Sequence, residues 1–560
     1  MARILNFLIV IFELIAFYKA RKRGSFAKSF VFYTQISNLI ALISSVLLVI
    51  LGQLRIVEIL RLLATSMLAM TFFVTACILV PASGKVKDLL FKGNSLFHHL
   101  LIPVISVISY LFTEDKAPMA WICLPVAVTL IYGLTMVFLN SRGKVDGPYP
   151  FFRVKENGTA KTALWMVGLI LMSSILSCAV GYQTPRKTDV KFVFVHGLSG
   201  WGSYDAINEF LPYWGLSTGS VTRYLNNKGY ESYAASVDPT GSAWDRACEL
   251  YAQLAGTRVD YGKAHSEAAG HERFGEDFTG RALLEDFETS KTVFIGHSFG
   301  GATVRVFQEV LRNGSEAERA ATDESDLSPY FKGGNGDGLM AVVTLAAPTN
   351  GTTAYDMYED ESFDLSAIAI PEEYEKNSGS VSRRTAVEPD GRASWDYASF
   401  DMHIDNALAL NETITTFEDV YYFAYPCSST VVAEDGSVSP DPSITENMFM
   451  KGAIYMSNYT GTTKGGFVID ESWQSNDGLV NEVSAGAPIG APARAYDPAL
   501  ASAPVKSGDP SANLILTPGV WNVMPTYKGD HMSLQGGFTI RKNVKPFYLE
   551  MAKMISGLSR

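Results

Sequence analysis

Residues 292–301 read Thr-Val-Phe-Ile-Gly-His-Ser-Phe-Gly-Gly. A short apolar run passes into Gly296-His297-Ser298-Phe299-Gly300. A further Gly301 then opens a stretch that sets Val304, Phe307 and Leu311 on one helical face. The order is strand, sharp turn, helix. So tight a turn leaves no room for a side chain on either flank of the serine, and glycine stands at both. In that setting Ser298 reads as an exposed nucleophile.

Working outward, VKFVFV (190–195), LMAVVTLA (339–346) and VYYFAY (420–425) are equally short, β-branched or aromatic, and bounded by Gly, Pro or polar turns. They read as buried parallel strands. The helical stretches between them stop at Gly229, Gly256 and Gly314, where a helix C-terminus favours glycine. Strands alternating with helices give a mostly parallel sheet with helices on both faces. With the elbow, the fold class is an α/β hydrolase. The loop His196-Gly197-Leu198-Ser199-Gly200 follows the first strand, so the amides of Leu198 and Phe299 are expected to form an oxyanion hole. The remaining partners follow in the order acid, then histidine. His531, in GDHMS near the C-terminal end, is the expected base. Asp477, in the turn SNDGLV, is its expected acid. Asp470 and Glu471 are rivals for that role, and Asp530 is too close in sequence to reach behind the ring.

The 560 residues are 47% hydrophobic and 18% charged, which excludes disorder and argues against a nucleic-acid binder. The net charge of −11 hides a division. Residues 1–190 hold 19 basic and 8 acidic side chains, and the remainder holds 27 and 49. Five cysteines in such a chain make no disulfide framework.

The basic third contains six apolar stretches, at roughly 4–18, 29–51, 62–82, 95–113, 118–139 and 162–182, most of them long enough to cross ~30 Å of hydrocarbon. Lys19, Arg21, Lys22 and Arg23 follow the first run instead of preceding it, which argues against a signal peptide. Basic residues cluster after the first, third and fifth runs. The positive-inside rule makes those loops cytoplasmic and puts the N-terminus and everything after residue 182 outside. The expected organisation is a six-span transmembrane domain at 1–182, a linker at 183–190, and a hydrolase domain at 191–560 with a cap near 350–415. Thr34 and the pair His98-His99 fall at similar depth in the second and fourth spans, a possible nucleophile and base. Helix packing explains polar residues there equally well.

FYTQISNL and HHLLIPV, set in six spans, resemble the androgen-induced, FAR-17a-like membrane proteins, some of which are intramembrane threonine hydrolases. From about 190 to 555 the resemblance is to the zinc-containing bacterial lipases of the Geobacillus/Staphylococcus type. It is carried by HGLSGWG, AWDRACELYAQLAGTRVDYGKAHSEAAGHERFG, GHSFGG, LSPYFKGG, APTNGTT and SNDGLVN. The family triad matches Ser298, Asp477 and His531. Its zinc ligands match Asp245, His265, His271 and Asp401, with His403 as a possible extra or substitute ligand. That zinc would be structural, since four protein ligands leave no open position. The family's calcium site has no counterpart here: Ser533 and a glycine-rich stretch replace its acidic residues. The resemblance implies a serine ester hydrolase acting on lipid acyl esters through an acyl-enzyme, and the six spans with their loop charges make it membrane-anchored and extracytoplasmic. An acyltransferase of the same fold, or a catalytically dead membrane binding or transport protein, are the alternatives.

Overall fold

In the computed structural model the described residues are 2–22, 30–52, 55–146, 149–182, 185–209, 211–284, 286–356, 392–496 and 516–558. The chain divides into two compact units, Met1–Pro185 and Arg186–Arg560. Most of the expected cap falls at 357–391, outside the described residues.

The first unit is helical. It comprises α1 (Ala2–Lys22), α2 (Tyr33–Leu51), α3 (Arg55–Ser83), α4 (Asn94–Thr113), α5 (Met119–Ser141) and α6 (Val154–Val180). Helices α2 to α6 are long and apolar enough to cross a membrane. Helix α1 covers the expected first span but carries Arg3, Glu13 and Lys19, and is not among those five. Inside the unit, Arg61 is fully buried and grips Glu114 with two hydrogen bonds, at 2.9 and 3.1 Å. The same guanidinium donates to Ser45 and Ser106. A buried ion pair survives only when its remaining donors are satisfied in this way.

The second unit is built on a seven-stranded sheet. Its strands are β1 (Lys191–Val195), β2 (Ser232–Ala235), β3 (Thr292–His297), β4 (Leu339–Leu345), β5 (Tyr421–Tyr425), β6 (Ala493–Ala495) and β7 (Trp521–Val523). They lie in the order β6-β7-β5-β4-β3-β1-β2. Every pairing is parallel. Central strands β1, β3, β4 and β5 are buried at every residue, which is why they read as continuous apolar runs without alternation. One face is covered by α8 (Ala243–Ala255) and α9 (Gly300–Asn313). The other is covered by α7 (Val221–Asn227) and α12 (Lys545–Ser556). Between these in sequence come α10 (Ile404–Thr413) and α11 (Asn447–Met456). Ser242 caps α8 by accepting from the Asp245 amide, and Gly256 ends it in the left-handed conformation.

The register positions the site. Val195 pairs with Gly296, so the carboxyl ends of β1 and β3 bring the 196–200 loop beside the elbow. Phe194 anchors the second face, with its ring 4.9 Å from Trp214 and 5.7 Å from Tyr548. Phe194→Ala is expected to destabilise this unit by about 3–5 kcal/mol. Urea unfolding of the full chain followed by tryptophan fluorescence measures it, and a cost below about 1 kcal/mol would contradict this packing.

Candidate active site and metal centre

Ser298 stands in the left-handed region at φ 53°, a conformation a non-glycine residue adopts only when its surroundings impose it. Here β3 ends and α9 begins around it, and its amide donates to Leu345 of β4 at 2.9 Å. The flanking glycines are required by close approach. A Cβ on Gly296 would lie 2.2 Å from the Gly300 carbonyl oxygen, and one on Gly300 2.3 Å from that of Val195. Across the gap, a Cβ on Gly197 would lie 2.6 Å from that of Ser298. The loop after β1 therefore touches the nucleophile. Among the described residues, no acceptor takes up the amides of Leu198 or Phe299. One directly follows the serine and the other directly follows Gly197, which lies against it, so both are candidates for an oxyanion hole.

His531 and Asp477 meet as expected. The imidazole Nδ1–H donates to Asp477 Oδ2 at 2.8 Å. A carboxylate accepts and does not donate, so Nδ1 carries the proton and Nε2 keeps its lone pair. Asp477 is fully buried, and its Oδ1 accepts from the amides of Leu479 and Val480 at 3.0 and 2.8 Å. The rivals are placed otherwise. Asp470 and Glu471 are exposed. Asp530 is buried but accepts from the Glu446 amide and from Ser533.

A chain of hydrogen bonds that sequence reasoning missed links the 197 loop, the elbow and the loop bearing His531. The Gly197 amide donates to Tyr213 Oη at 3.0 Å, and that hydroxyl lies 2.9 Å from His297 Nδ1. His297 Nε2 lies 3.0 Å from the His531 carbonyl oxygen, so it carries the ring's proton and Nδ1 accepts. Burial, reinforced by His531, pushes His297 well below its ordinary range; it stays neutral, as this bonding requires. The two imidazoles lie 4.9 Å apart between centroids, tilted by 48°. The signal available in sequence was the histidine inside the elbow motif itself.

A second cluster joins Asp245, His265, His271 and Asp396, with one ligand atom from each lying within 4.8 Å of the others. His265 Nε2 is 3.0 Å from Asp245 Oδ1 and 3.3 Å from Asp396 Oδ1. His271 Nε2 is 3.7 and 3.3 Å from the same two carboxylates. These separations suit a tetrahedral ion with bonds of ~2.0–2.1 Å. The Glu272 carbonyl accepts from His271 Nδ1 at 2.8 Å, which turns the Nε2 lone pair into the cluster. Arg392 braces the acids from outside, with Nε 2.8 Å from Asp396 and Nη2 3.5 Å from Asp245.

Asp396, and not the expected Asp401, stands with Asp245, His265 and His271 in this group. Asp401 instead spends Oδ2 on the Ala243 amide, at 2.7 Å, at the start of α8. Burial and the charges of Asp396 and Asp245 push its carboxyl up to about 7. His403 is outside the group and precedes α10. Trp395, whose ring packs 5.5 Å from that of His265, stands beside Asp396 in sequence and was the available signal. The calcium question is met differently: Ser533 donates to Asp530 at 2.9 Å, and Glu446 accepts the amides of Thr539 and Ile540.

Arg246 follows Asp245 on α8 and is fully buried. It donates to Thr303 at 2.9 Å, to the Asp238 carbonyl at 2.7 Å, and to the carbonyls of His196 and Gly197. Its guanidinium lies 5.2 Å from the centre of the Phe299 ring. The helix that supplies a metal ligand therefore also braces the oxyanion loop.

In the first unit, Thr34 Oγ1 lies 3.3 Å from Tyr149 Oη. His98 instead meets Gln35 through Nδ1 and Glu13 through Nε2, both at 3.3 Å. His99 Nδ1 bonds the Leu89 carbonyl. The threonine and the histidines thus belong to separate hydrogen-bond groups, and no nucleophile–base pair is formed between them.

The profile described as "Lipase-like, C-terminal domain" matches residues 188–369. The lipase of Staphylococcus hyicus is 31% identical over 408 residues, 68% of this chain and 59% of that protein. Lipase 1 of Staphylococcus aureus (strain MRSA252) is 29% identical, over 64% of this chain and 52% of its own length. The chain thus spans between half and three fifths of these relatives. Among solved structures, the S. hyicus lipase aligns with TM-score 0.56 at 28% identity, covering 67% of this chain and 98% of that one. EstA from Clostridium botulinum aligns with TM-score 0.55 at 28% identity, covering 68% and 91%. The second unit therefore has the α/β-hydrolase fold of these lipases.

The metal-free cluster has a definite pH signature. Burial opposes protonation of His265, but hydrogen bonds to Asp245 and Asp396 outweigh it and push the ring up to about 9. Burial likewise opposes ionisation of Asp396, yet bonds from both histidines hold it below the usual carboxylate range. The raised histidine stabilises the fold fully below ~6.5 and loses that effect as pH rises through its folded value. The lowered carboxyl acts above ~3.9 and fails only in stronger acid. In chelator, the melting temperature should therefore fall from pH 6.5 to pH 9, and His265→Gln should flatten that fall. Calorimetry at the two values measures it; a rise towards pH 9 in the wild type would contradict the cluster.

Proposed function

We propose that this chain is a membrane-anchored, extracytoplasmic serine ester hydrolase that cleaves lipid acyl esters. The observations that carry the reading are Ser298 at a left-handed elbow and, in the same unit, the buried Asp477–His531 pair. Similarity to lipases supports the same reaction class.

In this mechanism Ser298 Oγ attacks the acyl carbonyl while His531 Nε2 takes its proton. Asp477 holds the imidazole in the required tautomer and stabilises the imidazolium. The Leu198 and Phe299 amides stabilise the oxyanion as it forms. Protonated His531 then gives its proton to the leaving alcohol, and the acyl group stays on Ser298. Water enters, loses a proton to His531, and releases the carboxylic acid. The Gly197–Tyr213–His297–His531 chain keeps the participating loops in register through both halves.

For the metal, Asp245, His265, His271 and Asp396 would hold Zn²⁺, whose part is to fasten the segment before the elbow strand to the segment carrying Asp396. No step of the ester chemistry passes through it. The five apolar helices and the basic loops of the first unit support a membrane anchor whose basic loops face the cytoplasm, leaving the hydrolase unit outside.

Ser298→Ala is expected to reduce hydrolysis of p-nitrophenyl esters by the full chain by at least ~10⁴-fold, and Asp477→Asn by a comparable factor. Gly197→Ala, which pushes the oxyanion loop off the serine, should cost about 10²–10³-fold. Full activity in Ser298→Ala would overturn the assignment. For the metal, elemental analysis should find about one zinc per chain. His271→Ala should lose it and melt at lower temperature, while its folded fraction still turns over ester. Chelation that stops turnover at once without loosening the fold would mean a catalytic metal instead.

A further inference from the structure

Arg305 lies on α9, seven residues beyond Ser298. Its side chain is 2% exposed. Nη2 donates to Asn411 Oδ1 at 2.7 Å, and Nε has no hydrogen-bond partner. Its guanidinium lies 5.9 Å from the centre of the Trp521 ring. Trp521 is 1% exposed, and its indole N–H also has no partner. Among the described residues no carboxylate pairs with Arg305. Burial holds its pKa down to about 10, opposed only by the phenol of Tyr422. A buried cation is ordinarily matched by an anion, and a buried donor by an acceptor. Here both lacks fall in one place.

Arg305 and Trp521 line the same cleft, about 570 Å³ in volume. Leu408, Ile414, Phe467 and Ile489 supply much of the rest of its wall, and the exposed Glu412 is the acidic side chain at its edge. Neither the triad nor the residues of the oxyanion hole line it. The wall of the cleft thus includes a guanidinium and an indole that each keep an unpartnered N–H, beside apolar side chains. A volume of this order accommodates a drug-sized or acyl-sized ligand.

We propose that this cleft is a second binding site, for a carboxylate bearing an apolar tail: a free fatty acid of the kind that ester hydrolysis releases. Guanidinium and indole N–H would hold the carboxylate by charge-assisted hydrogen bonds, and the aliphatic and aromatic wall would take the tail. That the ligand is the enzyme's own product rests on the hydrolase reading; the carboxylate site itself does not.

The test uses the full chain in nanodiscs with Ser298 blocked by a p-nitrophenyl phosphonate, so that the catalytic site cannot take up the probe. Decanoate carrying a photoreactive group is titrated and the labelled peptides are mapped. Saturable labelling of peptides containing residues 404–416, 486–492 or 516–523 is expected, with competition by unlabelled decanoate and not by acetate or decanol. Arg305→Leu should weaken it at least about tenfold, and Trp521→Phe several-fold. If Arg305→Leu fails to fold, Arg305→Lys and Trp521→Phe carry the comparison. Undiminished labelling in folded variants, labelling confined to other peptides, or equal competition by acetate would overturn the proposal. Failure of the phosphonate to react would count against the hydrolase reading alone, since decanoate labelling remains readable on the unblocked chain.

Discussion

The left-handed turn at Ser298 is the constraint on which the second unit is organised. It forces glycine at 296 and 300, because backbone oxygens stand where their side chains would go. It ends β3 and starts α9 within a few residues, so the serine is held by two elements instead of a loose loop. Such strain persists only where the surroundings over-determine it. Here they are the Leu345 carbonyl on one side and the Gly197 backbone on the other. The Tyr213–His297 link then carries the same positioning to the loop bearing His531, 233 residues further along the chain.

The metal cluster and the oxyanion loop share one helix. Asp245 and Arg246 are neighbours on α8, yet one faces the cluster and the other the 196–197 carbonyls and Phe299. Fixing Asp245 therefore fixes the frame from which Arg246 braces the nucleophile's surroundings. The buried arginines of this unit divide the work: Arg246 donates to Thr303 and to three backbone carbonyls, whereas Arg305 is left with a donor to spare.

Legibility in the sequence followed the range of the interactions. The central strands and the helices after β1, β2 and β3 were readable because burial on both sheet faces writes apolar runs and helix ends write glycine. The elbow at Ser298 and the pairing of Asp477 with His531 were readable because chain order and turn residues constrain them. Asp396 was not. It and Asp401 lie five residues apart on one segment, and which of them turns to the histidines is decided by contacts with Ser242, Arg392 and the start of α8. Tyr213 and His297 were missed as a link because a hydrogen bond across 84 residues leaves no periodic trace. The same holds for Arg305 and Trp521, 216 residues apart and joined only by the fold. In the first unit, hydropathy located the helices but did not tell that Thr34 turns to Tyr149 and His98 to Glu13.

The measurement that bears most directly on the central claim is the site of covalent capture by a fluorophosphonate, read by peptide mapping of the full chain. A single stoichiometric adduct on Ser298 is expected, formed at a rate that collapses in His531→Ala although the fold is kept. An adduct on any other residue accompanied by full loss of activity, or no adduct on an enzyme that hydrolyses esters, would contradict it.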